Sequence, residues 1–314
     1  MKKIIIIIVL FIACISQSDY NVEKITPEEM KTIVGYLAAD EINGRDTGTE
    51  GIEKSATYIE KYFQEHDIEP YYETYRDTFR VKELPAFNVL GVIEGNDSEL
   101  KDEFILIGAH YDHIGNRAKI FENDSIANGA NDNASGTATA MTIAKHFATT
   151  RSNKRSIIVT LFSAEEMGLR GSRHLAQRMK SDSLNLYAMV NFEMTGVPFK
   201  DRPYQAYVTG FSTSNMVDKI NEYVGDTLIG KSDVAVKYGL FKRSDNYPFY
   251  SVFKIPSQTI SSCDLTNYDY YHKVDDEADK MDYEHMASLV NNLIPAIEAM
   301  ANSKTREVIL NNEE

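Results

Sequence analysis

The sequence predicts a three-layer α/β sandwich, a mostly parallel mixed β-sheet flanked by helices. Short apolar runs alternate with segments of helical period, and polar turns join them. The composition is 43% hydrophobic and 25% charged over 314 residues, as in a globular chain that buries a core. No Pro-, Gly- or Ser-rich linker and no internal repeat divides the chain. The reading is therefore a single domain over 26–302, followed by a polar tail, 303–314, expected to fray.

The first segment carries an address rather than a fold. Lys2 and Lys3 precede the apolar run Ile4–Ala13, which is too short for a helix spanning about 30 Å of bilayer. A basic start before a short apolar stretch reads as a secretory signal over 1–13. Phe11-Ile12-Ala13-Cys14 resembles a bacterial lipobox, with Phe where Leu is usual. The expectation is cleavage before Cys14, lipidation of that thiol, and a polar tether over 14–25. The chain would then be exported and lipid-anchored to a bacterial membrane. The alternative is an ordinary cleaved signal and a periplasmic or secreted protein. Cys263 is then left without a partner in the chain and reads as a small core residue.

Thr26-Pro27-Glu28-Glu29 has an N-cap followed by Pro at the first helical position, and Met30, Ile33, Val34 and Leu37 recur at helical spacing. A second helix carries Ala56, Ile59, Tyr62 and Phe63 on one face. Phe87–Glu94 alternates and breaks at Gly95-Asn96-Asp97, which predicts a hairpin there. Strands are predicted over Phe104–Ile107, Ile157–Phe162, Tyr187–Phe192 and Ile255–Ile260. Helices are predicted over Thr137–Ala148, Gly171–Met179, Asn215–Val224 and Tyr283–Met300.

In such sheets ligands sit beyond the carboxyl ends of the strands. Five segments, the first four punctuated by Gly, place His and carboxylate there: Gly108–His113, Asn128–Gly136, Ser163–Gly168, Asn191–Gly196 and Tyr270–Asp276. A net charge of −14 argues against nucleic-acid partners and suits a collector of cations. Imidazole and carboxylate without thiolate fit hard or borderline dications. Two His with three carboxylates exceed one open tetrahedral site and match two metals bridged by a carboxylate. The adjacent pair Glu165-Glu166 can supply both a ligand and a base, because successive residues point in different directions.

Together with Leu37-Ala38-Ala39-Asp40-Glu41, Gly44-Arg45 and Asn88–Gly95, these five segments resemble the M28 metallopeptidases, a group of zinc aminopeptidases that includes carboxypeptidase-like members and glutaminyl cyclases. The resemblance runs from about Ile25 to Met300. It implies a zinc-exopeptidase-like fold and two Zn2+ ions, with another divalent metal admissible at one site. It also implies peptide substrates and amide hydrolysis with Glu165 as general base and acid. His110 and Glu193 would hold one metal, Glu193 standing where many members have Asp. Glu166 and His272 would hold the other, and Asp132 would bridge both. Asp112 would hydrogen-bond the His110 ring and fix its tautomer. Arg243-Ser244-Asp245-Asn246 matches a segment near the substrate pocket, where the family often has His at the position of Asn246. The family's oxyanion Tyr aligns with Phe241, which leaves Arg243, Tyr270 and Tyr271 as candidates for that role. The loop Arg117–Asn128 is read as a pocket wall. His113 adjoins the site, but the ligand inventory is complete without it, so it reads as a neighbour of the site or a surface residue. A glutaminyl cyclase and a non-catalytic peptide-binding lipoprotein are the competing readings. The absence of Trp argues against the first and the intact site residues against the second.

Overall fold

A computed structural model describes residues 23–121 and 124–311, so the signal, Cys14 and most of the tether lie outside the described residues. Helix α1 (Pro27–Leu37) starts at Thr26, whose Oγ1 accepts the Glu29 N–H at 3.2 Å. Helix α2 (Glu50–Glu65) buries Ala56, Ile59, Tyr62 and Phe63 as the spacing predicts. The strands are β1 (Glu69–Pro70), β2 (Arg76–Val81), β3 (Leu84–Ile93), β4 (Phe104–His110), β5 (Ser156–Phe162), β6 (Leu186–Phe192), β7 (Ala206–Val208), β8 (Ile229–Gly230) and β9 (Ser257–Ser261). Interleaved with them are α3 (Gly136–Thr150), α4 (Arg170–Ser181), α5 (Met216–Val224), α6 (Asp233–Lys237), α7 (Asn246–Phe253) and α8 (Tyr283–Asn302).

The sheet runs β1-β3-β5-β4-β6-β9-β7-β8, with β2 also on β3. It is mixed. Its centre, β5-β4-β6-β9, is parallel, and antiparallel pairs join β3 to β5 and β7 to β9. Side chains alternate between two helical layers. Ile105 and Ile107 of β4, with Ile157, Val159 and Leu161 of β5, face the core shared with Val34, Phe63, Met141 and Leu293. Leu106, Ile158 and Phe162 face the other core, with Leu175, Met179 and Phe249 of α4 and α7. Strands covered on both faces read as unbroken apolar runs, which is why β4, β5 and β6 were visible in the sequence.

Two expectations are corrected. The break at Gly95 does not make a hairpin. Strand β3 pairs backwards with β2 in a ladder ending at Val81↔Leu84, and after Gly95 the chain crosses to the parallel centre instead. The alternation was real, but it marks an edge hairpin whose turn precedes it. The segment after α8 does not fray either. Val308 is buried, its N–H donates to the Tyr187 hydroxyl at 2.8 Å, and Arg306 reaches Glu103 and Asn185. A single apolar anchor with several polar ties outweighs the polar composition of this stretch.

Candidate metal centre

Three neighbouring parallel strands end at one rim and deliver the chemistry. His110 closes β4, Glu165 and Glu166 follow β5, and Glu193 follows β6. Asp132 arrives on the loop before α3 and His272 on the loop after β9. Ala164 (φ 55°), Met194 (φ 50°) and His272 (φ 57°) all adopt left-handed backbone, which turns each segment sharply at the rim.

The loop carrying Asp132 is fastened on two sides. Asn133 Oδ1 accepts the N–H groups of Met194 and Gly136, each at 3.0 Å, and Asn133 Nδ2 donates to Phe192 O at 3.0 Å. Asn131 Oδ1 accepts the Gly196 N–H at 2.9 Å, and Ser135 Oγ accepts the Thr195 N–H at 2.9 Å. On the other side, the buried Asp276 carboxylate accepts the N–H groups of Asn131 (2.7 Å) and Asp132 (3.0 Å) and the Tyr268 hydroxyl (2.6 Å). Beneath both lies Arg45, fully buried. It donates to the carbonyls of Tyr111 (2.8 Å), Leu37 (2.5 Å), Asn128 (2.5 Å) and Gly129 (2.8 Å).

The functional atoms converge in two groups around Asp132. Its Oδ1 lies 3.4 Å from His110 Nε2. Its Oδ2 lies 3.2 Å from His272 Nε2, which is also 3.2 Å from Glu166 Oε2. Donor atoms about 2.0–2.1 Å from a tetrahedral ion sit roughly 3.3 Å apart, so these spacings are those of ligand atoms around a cation. His110 Nε2, Asp132 Oδ2, Glu166 Oε1 and Glu193 Oε2 are all buried with no hydrogen-bond partner among the described residues. Buried polar atoms left in that state are costly, and bound dications would satisfy all four. The donor set, imidazole and carboxylate without thiolate, fits zinc.

The electrostatics agree. Burial alone would raise the Asp132 carboxyl, yet its contacts with His110 and His272 hold it well below the usual range. Burial and Asp132 also act to raise Glu166, but His113 and His272 hold it down to about 2. His272 is pushed up to about 10 by Asp132 and Glu166, against the effect of its burial. Glu165 behaves differently. Burial, joined by Glu193 and Asp245, drives its carboxyl well above the usual range against the pull of His110. Glu166 thus turns toward the imidazoles while its neighbour Glu165 lines the cavity beside them.

Asp112 departs from its expected role. Its carboxylate is 3.8 Å from His110 Nδ1, and that ring nitrogen lies 3.2 Å from the Asp112 backbone carbonyl instead. The carboxylate accepts the N–H groups of Glu165 (3.1 Å) and Glu166 (3.3 Å). Residue i+2 offers its carbonyl to the ring, and its side chain is free to pin the next strand's loop. Asp245 is fully buried behind the site, both oxygens unpartnered, and burial pushes it up to about 7. Arg243 and Tyr271 line the cavity, and Tyr271 stacks on the His272 ring with centroids 3.9 Å apart. Tyr270 does not line it and packs edge-on against Tyr268. The cavity measures about 550 Å³ including its open mouth. Met194, Leu240, Cys263 and Leu265 give it apolar walls beside the carboxylates. None of the described residues of the loop 117–128 lines it, which corrects that expectation; its apolar walls come from segments after β6, facing Asp132, Glu165 and Glu166. Cys263 is buried and its thiol is pushed up to about 12 by burial, as a packing residue rather than a nucleophile.

Arg45 and Asp276 lay inside quoted motifs, yet neither was given a role in the sequence reading. Arg45 stands in a turn-rich stretch beside Asp46, and its backbone-carbonyl partners leave no mark in the sequence. His113 was placed outside the ligand set, and the structure buries it against Glu166, Nδ1 to Oε1 at 2.9 Å.

The sequence profile of peptidase family M28 matches residues 88–297. A probable zinc metalloprotease of Pyrenophora teres f. teres (strain 0-1) is 40% identical over 108 residues, which is 34% of this chain and 22% of the relative. A probable leucine aminopeptidase of Trichophyton verrucosum (strain HKI 0517) is 29% identical over 210 residues, covering 64% of this chain and 52% of the relative. The chain thus spans about a fifth and about half of these two relatives. Among solved structures, the LapA aminopeptidase of Legionella pneumophila superposes with a TM-score of 0.68 at 22% identity over 89% of this chain and 73% of its own. A glutaminyl cyclase of Porphyromonas gingivalis reaches 0.68 at 14% identity over 88% and 100%. At such identities these are likenesses of fold, and they agree on the mixed α/β sheet flanked by helices. With the profile match over two-thirds of the sequence and the His and carboxylate groups gathered at its rim, the chain belongs to peptidase family M28, the zinc metallopeptidases.

Proposed function

We propose that this protein is an aminopeptidase that holds two Zn2+ ions and releases N-terminal residues from peptides. The observation that carries the reading is the division of Asp132: one oxygen faces His110, the other faces His272 and Glu166. His110, Asp132 and Glu193 would hold one ion, and Asp132, Glu166 and His272 the other. When bound, such a pair supplies Lewis-acid activation of water and of the scissile carbonyl. The remaining work falls to the chain. Glu165, half-buried and outside both ligand groups, takes the proton from the attacking water on its carboxylate. It then returns that proton to the departing amine. Asp112 holds Glu165 in place through the backbone N–H. The acidic wall of the cavity suits a free α-ammonium, and Met194, Leu240 and Leu265 suit an apolar first side chain.

One observation favours a second reading, action at a free C-terminus. Arg173, Lys242 and Arg243 share a cavity with Glu165, and none has a carboxylate within 4.0 Å among the described residues. Such cations would hold an α-carboxylate. A panel of free, N-acetylated and C-amidated peptides, with glutaminyl peptides included, decides between them. Aminopeptidase action requires cleavage of free and C-amidated peptides and none of N-acetylated ones. Cleavage of free and N-acetylated peptides with none of C-amidated ones, or pyroglutamate as the product, would overturn it. Metal analysis of the purified protein tests the count of two.

Export and lipid anchoring through Cys14 complete the proposal, supported by the basic start, the apolar run and the lipobox-like Phe11–Cys14. Labelled palmitate should enter the wild-type protein and not Cys14→Ala.

A further inference from the structure

The metal centre proposed above uses five ligands, and a third imidazole stands unused beside them. His113 is fully buried, and neither ring nitrogen has a hydrogen-bond partner among the described residues. Its Nδ1 lies 2.9 Å from Glu166 Oε1 and 3.9 Å from Asp132 Oδ2, and His113, Asp132 and Glu166 each place one ligand atom within 4.8 Å of the others'. The 2.9 Å contact is close but falls outside hydrogen-bond alignment. A nitrogen lone pair and a carboxylate oxygen at that distance repel each other unless a positive charge is shared between them.

The surroundings are shaped for the ring. Gly129 has φ +62°, and a Cβ on it would sit 2.4 Å from the His113 Cγ and 2.3 Å from the Asp132 carbonyl oxygen. No other residue would leave room for the imidazole and for the Asp132 loop together. The His113 N–H donates to the Arg45 carbonyl at 3.3 Å, which ties its backbone to the residue that clamps both loops. The His272 ring stands 5.7 Å away at 69°, so two imidazoles approach Glu166 from different directions.

We propose that His113 is a further ligand of the cation held by Asp132, Glu166 and His272, through Nδ1. The inference rests on the metal-centre reading. It makes the two ends unequal: two imidazoles at the His272 end, and one imidazole with Glu193 at the other. Imidazole favours zinc over harder ions, so the His272 end should fill first and hold zinc more tightly.

The test titrates metal-free full chain with Zn2+ against a chromophoric chelator, and separately records the visible spectrum with Co2+. His113→Ala and the less disruptive His113→Asn are compared with wild type, and far-UV circular dichroism of each apo form checks folding. Wild type should take up one equivalent more tightly than the second. Both variants should weaken that first step by more than the roughly 10–100-fold loss seen on removing an outer partner of a ligand. Their Co2+ bands should also change in position and intensity as one ligand is lost. Unchanged titration curves would overturn the proposal. So would weaker binding with an unaltered Co2+ spectrum, because His113 would then only steady Glu166. Wild type that takes up no Zn2+ at all would overturn the metal-centre reading itself.

Discussion

Replacing Arg45 by Met tests whether the two loops at the rim are held by one buried cation. The side chain is fully buried and donates to four carbonyl oxygens, those of Leu37, Tyr111, Asn128 and Gly129. Methionine leaves all four without that partner; Gly129 O keeps the Ala134 N–H at 3.1 Å, and the other three cost about 1–3 kcal/mol each. Against this stands the relief of no longer burying a charge, several kcal/mol in magnitude. Burial lowers the Arg45 pKa to about 10, although Asp276, Asp112, Asp132 and Glu166 oppose that shift, so it is still charged at neutral pH. The unpaired carbonyls outweigh the relieved charge, for a net loss of about 3–5 kcal/mol. That is a large share of the roughly 5–15 kcal/mol available to a domain, yet Arg45→Met should fold in the cold. Urea unfolding should show a lower midpoint at unchanged slope. Zn2+ affinity should fall in parallel, because Tyr111 and Gly129 flank the segments carrying His110 and Asp132. Arg45→Lys should recover little, since an ammonium cannot reach four diverging carbonyls. A stability loss under about 1 kcal/mol with unchanged Zn2+ affinity would refute the clamp.

Glu165→Gln should keep full metal content by elemental analysis while turnover falls by about 10²–10⁴; near wild-type rates would remove Glu165 from the base role. Stripping metal with a chelator should lower the unfolding temperature and abolish cleavage, since binding at about 1,000 times Kd stabilises by roughly 4 kcal/mol. A melting curve unmoved by the chelator would argue against a resident ion. The buried Asp77 carboxyl is pushed up by burial, yet hydrogen bonds from His174, Asn88 and Arg178 hold it below its usual value. Its stabilisation is therefore complete above the unfolded carboxylate range, about pH 4, and is lost as pH falls through the lower folded value. In acid titrations of stability, Asp77→Asn should lack that portion of the decline, and identical profiles would show that the network contributes nothing.

The parallel centre was readable because strands covered on both faces must be apolar throughout, as β4, β5 and β6 are. Their carboxyl ends point to His110, Glu165, Glu166 and Glu193. Strands β7 and β8 were not readable, because two or three residues have no period. Arg45 was hidden for a different reason. Its partners are backbone carbonyls, which every residue has, so nothing in the sequence marks them. Asp112 was misread because the ring of His110 could be served by a carbonyl or a carboxylate at the same position, and only the path of the loop decides. Five ligands suffice for two ions, so the count of ligands in the sequence does not single out His113.

Asp276 joins Tyr268 to the Asn131 and Asp132 backbone, and so ties the His272 loop to a segment made far earlier in synthesis. A growing chain that has released Glu193 still lacks both that carboxylate and the imidazole of His272. On the proposed ligand set, zinc capture is therefore an event of the finished polypeptide: whichever compartment completes folding sets which metal ions are on offer.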